Sequence, residues 1–100
     1  MDLTKMFVSQ RKLRTPTQVY ALVLSVRAGD PIPPILLSED EDETIQVEDG
    51  HHRASAYWLA GRRQLEVDEY IVKSRDRWRP RFGRIVDLIT RARVELPDEF

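Results

Sequence analysis

The chain has 100 residues, 41% hydrophobic and 33% charged, with a formal net charge of −1 and no cysteine. That length supports one domain, residues 1–100, with a single core, and the composition is that of a folding chain rather than a disordered one. The lack of thiols excludes disulfide scaffolds, cysteine nucleophiles, iron–sulfur clusters and thiolate-bound zinc, and the near-zero charge argues against indiscriminate polyanion binding.

Met6 to Val8 are compatible with a short strand, and Ser9 to Thr15 form a polar loop carrying Arg11, Lys12 and Arg14. Thr15 suits a helix N-cap and Pro16 a first turn. Val19, Leu22, Val23 and Val26 then fall on one helical face, and Gly29 stops the helix. In "DPIPPILLS" the prolines bar a helix, so Ile35 to Leu37 read as a strand. The unbroken acidic run Glu39 to Glu43 is expected as a loop extended by self-repulsion.

Ile45 and Val47 alternate with Gln46 as a second strand with one buried face. After Gly50 a helix is expected to about Ala60, with Ala54, Tyr57 and Trp58 on one side and Gly61 as its C-cap. "LEVDEYIV", Leu65 to Val72, reads as a further strand at an edge or a bulge. Phe82, Ile85, Val86, Ile89 and Ala92 make the apolar stripe of a last helix, which Pro97 ends. The fold class is therefore mixed α/β: about three helices on a short mixed sheet.

No apolar run approaches the ~20 residues that span a bilayer, and no secretory signal is evident, so a cytoplasmic protein without a membrane partner is expected. The apolar last helix makes a homodimer a candidate state. Between Lys73 and Arg93 eight bases face only Asp76 and Asp87. Arg75, Arg77, Arg79 and Arg81 within this segment are candidate DNA contacts, in competition with a merely solvated face. Trp58 and Trp78 are read first as core or partly buried residues, with base stacking by Trp78 as the alternative.

The chemistry concentrates where a strand meets a helix, in "VEDGHHRASAYWLAG". The first amides of a helix lack internal partners and carry positive potential, which makes such a turn an anion site. Gly50 is expected to leave the approach open, while His51, His52 and Arg53 add polar groups suited to phosphate oxygens. Asp49 is a candidate helix cap, a partner for an imidazole, or a ligand for magnesium beside phosphates. Adjacent helical histidines point about 100° apart, so His51 and His52 are not expected to share one metal ion.

The same stretch resembles the signature of the ParB/sulfiredoxin superfamily, in which a strand leads into Gly-x-His/Arg-Arg and an alanine-rich helix. "ALVLSVRAGDPIPPILLS" is similar to that family's upstream unit, and "VKSRDRWRPRFG" more loosely to the segment following the signature in sulfiredoxins. The resemblance implies a pocket for a nucleoside triphosphate, ATP or CTP, with Mg²⁺. His52 and Arg53 would be phosphate contacts, Ser25 a hydroxyl donor, Gln18 the occupant of a position that is basic in sulfiredoxins, and Arg11 a further contact. His51 stands where sulfiredoxins have their catalytic cysteine, so sulfinic acid repair is excluded. The loop Ser9 to Thr15 contains no glutamate of the kind that free serine kinases of the superfamily use. The expected function is phosphate and nucleotide binding, extending to an NTPase or phosphotransferase with Asp49 and His52 as its catalytic pair. The alternatives are a ParB-like nuclease acting on DNA and a non-catalytic DNA- or protein-binding regulator.

Overall fold

The computed structural model describes residues 1–96; Pro97, the expected end of the last helix, lies outside them. Four strands form one mixed sheet in the order β1-β3-β2-β4. They are β1 (Phe7–Val8), β2 (Ile35–Glu39), β3 (Ile45–Asp49) and β4 (Tyr70–Ser74). β1 runs parallel to β3, β3 antiparallel to β2, and β2 parallel to β4. The helices are α1 (Thr17–Ala28), α2 (His51–Leu59) and α3 (Ile85–Ala92), with α2 packed between α1 and α3 and against β2 and β3. The mixed α/β class expected from the sequence is the architecture observed.

Side-chain alternation divides the sheet into two unlike faces. Val8, Val47 and Leu37 fall in one register row and are fully buried, as is Ile35. In α1, Val19 and Val23 are buried, with Leu22 and Val26 packed against the core. The N-terminal segment, which has no clear periodicity, also enters this core. Leu3 and Met6 are fully buried, and the Leu3 amide donates to the Arg63 carbonyl at 2.9 Å.

The opposite face carries the row Phe7, Gln46, Ser38 and Lys73. Gln46 and Ser38 are fully buried there. Beyond β4 the chain crosses to the far edge of the sheet: the Val8 amide donates to the Gly83 carbonyl and the Phe82 amide to the Val8 carbonyl, each at 2.9 Å. Arg75, at the start of this crossing, pairs with Glu48, which also accepts from the Ser38 hydroxyl. Arg81, near its end, reaches Asp40 at 2.6 Å.

Four local expectations are corrected. Thr15 does not cap α1, because Pro16 occupies the N-cap position and makes no side-chain cap. The acidic run is a tight turn rather than an extended loop. The Asp40 carboxylate accepts the Asp42 and Thr44 amides at 2.9 and 3.0 Å and Arg81 neutralises it, which removes the repulsion that would extend the chain. Burial opposes ionisation of Asp40, but the Thr44 amide, Arg81 and the Asp42 amide outweigh it and hold the carboxyl below its usual range.

The strand expected from Leu65 begins only at Tyr70, because Val67–Glu69 form a 3-10 turn in which the Glu69 carboxylate accepts the Glu66 amide at 2.6 Å. The shared parity of Leu65 and Val67 therefore does not put them on one strand face: Leu65 is buried and Val67 is 85% exposed. In α3 the buried residues are Ile85, Leu88 and Ile89, whereas Val86 is exposed. No helix among the described residues is long and apolar enough to cross a membrane.

Leu88→Ala is expected to cost about 2–5 kcal/mol of stability, and Val86→Ala less than about 0.5 kcal/mol. Urea denaturation of the two variants checks this; equal losses would mean that α3 is rotated relative to the orientation described.

Candidate functional site

Gly50 joins β3 to α2 with φ +102, a left-handed conformation that a side chain disfavours. The first helical bond runs from the Ala54 amide to the Gly50 carbonyl at 2.8 Å, so the amides of His51, His52 and Arg53 precede the intrahelical ladder. Asp49 makes no cap; its carboxylate is 77% exposed and stands 3.7 Å from Arg53. The Arg53 guanidinium lies back over Gly50 and donates to the carbonyls of Pro33 and Pro34 at 3.0 and 2.7 Å. A Cβ at residue 50 would sit 3.0–3.1 Å from that guanidinium. The bare glycine thus makes room for Arg53 itself, where the sequence led us to expect open access for a ligand.

The two histidines hold the loop between β1 and α1. His51 is only 2% exposed, and its Nε2 accepts the Ser9 amide at 3.0 Å. The Ser9 hydroxyl donates to the Val47 carbonyl at 2.6 Å. His52 Nε2 accepts the Thr15 amide at 3.1 Å. Because an amide only donates, both Nε2 atoms are unprotonated and each neutral ring carries its hydrogen on Nδ1. The hydrogen that His52 can donate is therefore on Nδ1, not on Nε2. Burial, reinforced by the neighbouring His52 and opposed by Asp49, pushes the His51 pKa down to about 4; burial lowers that of His52 as well.

Above the start of α2 lies a cleft of about 440 Å³. Asp49, Gly50, His51, His52 and Arg53 line one side, Gln10 and Arg14 come from the pinned loop, and Gln18 and Leu22 from α1. The expected residues Asp49, Gly50, His51, His52, Arg53 and Gln18 are thus brought together. Ser25 is not among the lining residues: it lies seven residues, two helical turns, beyond Gln18, where its carbonyl accepts the Gly29 and Asp30 amides. Arg11 lines a neighbouring groove, its guanidinium 4.7 Å from the Phe82 ring centre. Gln10 and Arg14 are additions. The loop bases were visible in the sequence, but only the Thr15–His52 bond shows that Arg14 is the one set beside α2.

Two of the four arginines of the expected DNA track are paired with carboxylates. Arg75 pairs with Glu48 and stacks 4.1 Å from the Trp78 ring centre, and Arg81 pairs with Asp40. Arg77 and Arg79 border a small recess together with Asp40, Glu41 and Asp42. Trp78 and Trp58 are both half-buried, and Arg63 covers Trp58 at 3.7 Å. A further recess near the C-terminal end of α2 is lined by Tyr57, Arg62 and Glu69, which satisfy one another: Arg62 reaches Glu69 at 2.5 Å, and burial together with Glu69 pushes the Tyr57 phenol up to about 12. Among the described residues no group of three or more histidines or carboxylates is placed to hold a metal ion.

The depressed pKa of His51 makes folding pH-dependent. The stabilisation is fully present above the ordinary histidine value of 6.5 and is lost as the pH falls from there toward about 4. The shift corresponds to a loss of about 3 kcal/mol. Urea midpoints from pH 7.5 to 4.5 should fall through this window, and His51→Asn should flatten the dependence while lowering stability at neutral pH; an unchanged slope in the variant would contradict the assignment.

No protein-family model, curated protein or solved structure matches this chain.

Proposed function

We propose that the cleft above α2 binds the phosphate groups of a nucleotide and that the chain is a nucleotide-binding domain of the ParB/sulfiredoxin type. The observation that carries this reading is convergence: the free amides of His51, His52 and Arg53, with the cations Arg14 and Arg53, border one cavity of about 440 Å³. That volume falls within the range of small-ligand sites. Arg14 has no carboxylate partner among the described residues, so its charge is available to a ligand. Arg53 is already oriented by the Pro33 and Pro34 carbonyls. Gln18 replaces a cation with a neutral amide, leaving Arg14 as the principal charge on the loop side.

Asp49 suits the magnesium ion that accompanies a nucleoside triphosphate: it is the carboxylate lining the cleft and is largely exposed, and Mg²⁺ beside phosphates needs one or two protein carboxylates. Bound there, the ion would neutralise phosphate charge. The reading is chiefly one of binding, because the Nε2 atoms of both histidines are committed to loop amides. Hydrolysis or phosphoryl transfer would fall to Asp49 and to His52 through Nδ1. The same commitment of His52 weighs against the nuclease alternative.

Titration calorimetry with ATP, CTP and GTP in the presence of Mg²⁺ tests the proposal. At least one should bind, and Arg14→Ala should weaken it about 10- to 100-fold, the effect of losing one charge-assisted hydrogen bond. No heat with any of the three, or full affinity in Arg14→Ala, would overturn it.

A further inference from the structure

We infer that the α2 cleft is one end of a longer trough that takes a single-stranded nucleic acid, with one phosphate at the start of α2 and the next ones over Arg14, Arg11 and Lys12. The inference rests on the phosphate reading of the cleft and adds the class of ligand. The cleft of about 440 Å³ and the neighbouring groove of about 400 Å³ share two lining residues, Gln10 and Arg14, so they adjoin at the loop. The groove is completed by Ser9, Arg11, Lys12 and Phe82.

The loop that walls the trough is also strongly basic. Arg11, Lys12 and Arg14 are exposed, and none has a carboxylate partner among the described residues. Arg53, Arg62, Arg75 and Arg81 each have one, whereas Arg77 and Arg79 on the crossing segment, like the loop cations, have none among the described residues. The three loop cations also stand on fixed backbone: Ser9 and Thr15 are held by the imidazoles, and the Arg11 carbonyl accepts Arg91 Nε at 3.0 Å. A mononucleotide with its phosphates at α2 leaves Arg11 and Lys12 uncompensated at the far end, whereas a strand carries one phosphate per nucleotide along the whole trough.

A strand also needs a surface for its bases. Phe82 is half-buried beneath the Arg11 guanidinium at 4.7 Å, which orients that planar cation so that its outward face can take a stacked base of any identity. An acidic peptide would match the charges but has no use for this platform, so the observations favour nucleic acid. Arg75 to Arg81, the first candidate for such contact, lies on the crossing segment and is not needed.

Fluorescence anisotropy with a labelled oligothymidylate of about eight nucleotides tests the inference, alongside mononucleotide calorimetry on the same proteins. The wild type should bind the strand, and the double variant Arg11→Glu/Lys12→Glu should bind it at least about tenfold more weakly, with mononucleotide affinity unchanged and circular dichroism native. The neutral pair Arg11→Gln/Lys12→Gln should flatten the slope of log affinity against log salt by about 1.4, because two fewer phosphates are then neutralised by the protein. If mononucleotide binds but strand affinity is the same in wild type and variants, or polyglutamate competes as well as the strand, the inference is overturned and the phosphate reading stands. If neither strand nor mononucleotide binds, both are overturned.

Discussion

Two backbone amides donated to two adjacent imidazoles decide the shape of this protein's polar end. Ser9 and Thr15 bracket a loop that has no regular structure of its own, and each donates to Nε2 of a histidine in the first turn of α2. The bonds turn a strongly basic loop into one wall of the cleft. They need neutral rings, which burial supplies by depressing both pKa values. Adjacent residues on a helix diverge by about 100°, which would spoil a shared metal site but suits two rings that must reach opposite ends of a loop.

Charge pairing works to the same end. The arginine-rich segment after β4 is fastened to carboxylates distant in sequence, Arg75 to Glu48 on β3 and Arg81 to Asp40 of the acidic turn. The net charge of −1 therefore conceals a division of labour. One set of cations offsets carboxylates and fastens the crossing segment, while Arg11, Lys12 and Arg14 on the pinned loop are exposed to solvent. Partly exposed ion pairs contribute little energy singly, but here they set the path of the crossing segment.

Much of the fold was legible because its elements obey simple periods. The face Val19, Leu22, Val23 and Val26, the alternation around Val47 and the glycine before His51 led directly to α1, β3 and α2. Failures came where a local hydrogen bond outweighed pattern: the Glu69 carboxylate capping a 3-10 turn broke the apparent strand from Leu65, and the Asp40 carboxylate folded the acidic run into a turn. Leu3 and Met6 show no period, so nothing marked them as core. At the site, residue types and neighbourhood were readable, but orientation was not. Nothing in the sequence indicates that Arg53 turns back over Gly50, that both imidazoles accept rather than donate, or that Arg14 rather than Arg11 borders the cleft.

The claim beneath all of this is that His51 and His52 are neutral, protonated at Nδ1, and hold the loop through Nε2. Long-range proton–nitrogen NMR of the two rings at pH 7, with hydrogen exchange of the Ser9 and Thr15 amides, measures it directly. The account predicts a bare Nε2 and a protonated Nδ1 in both rings, with both amides protected. Rings protonated at Nε2, together with freely exchanging amides, would contradict it.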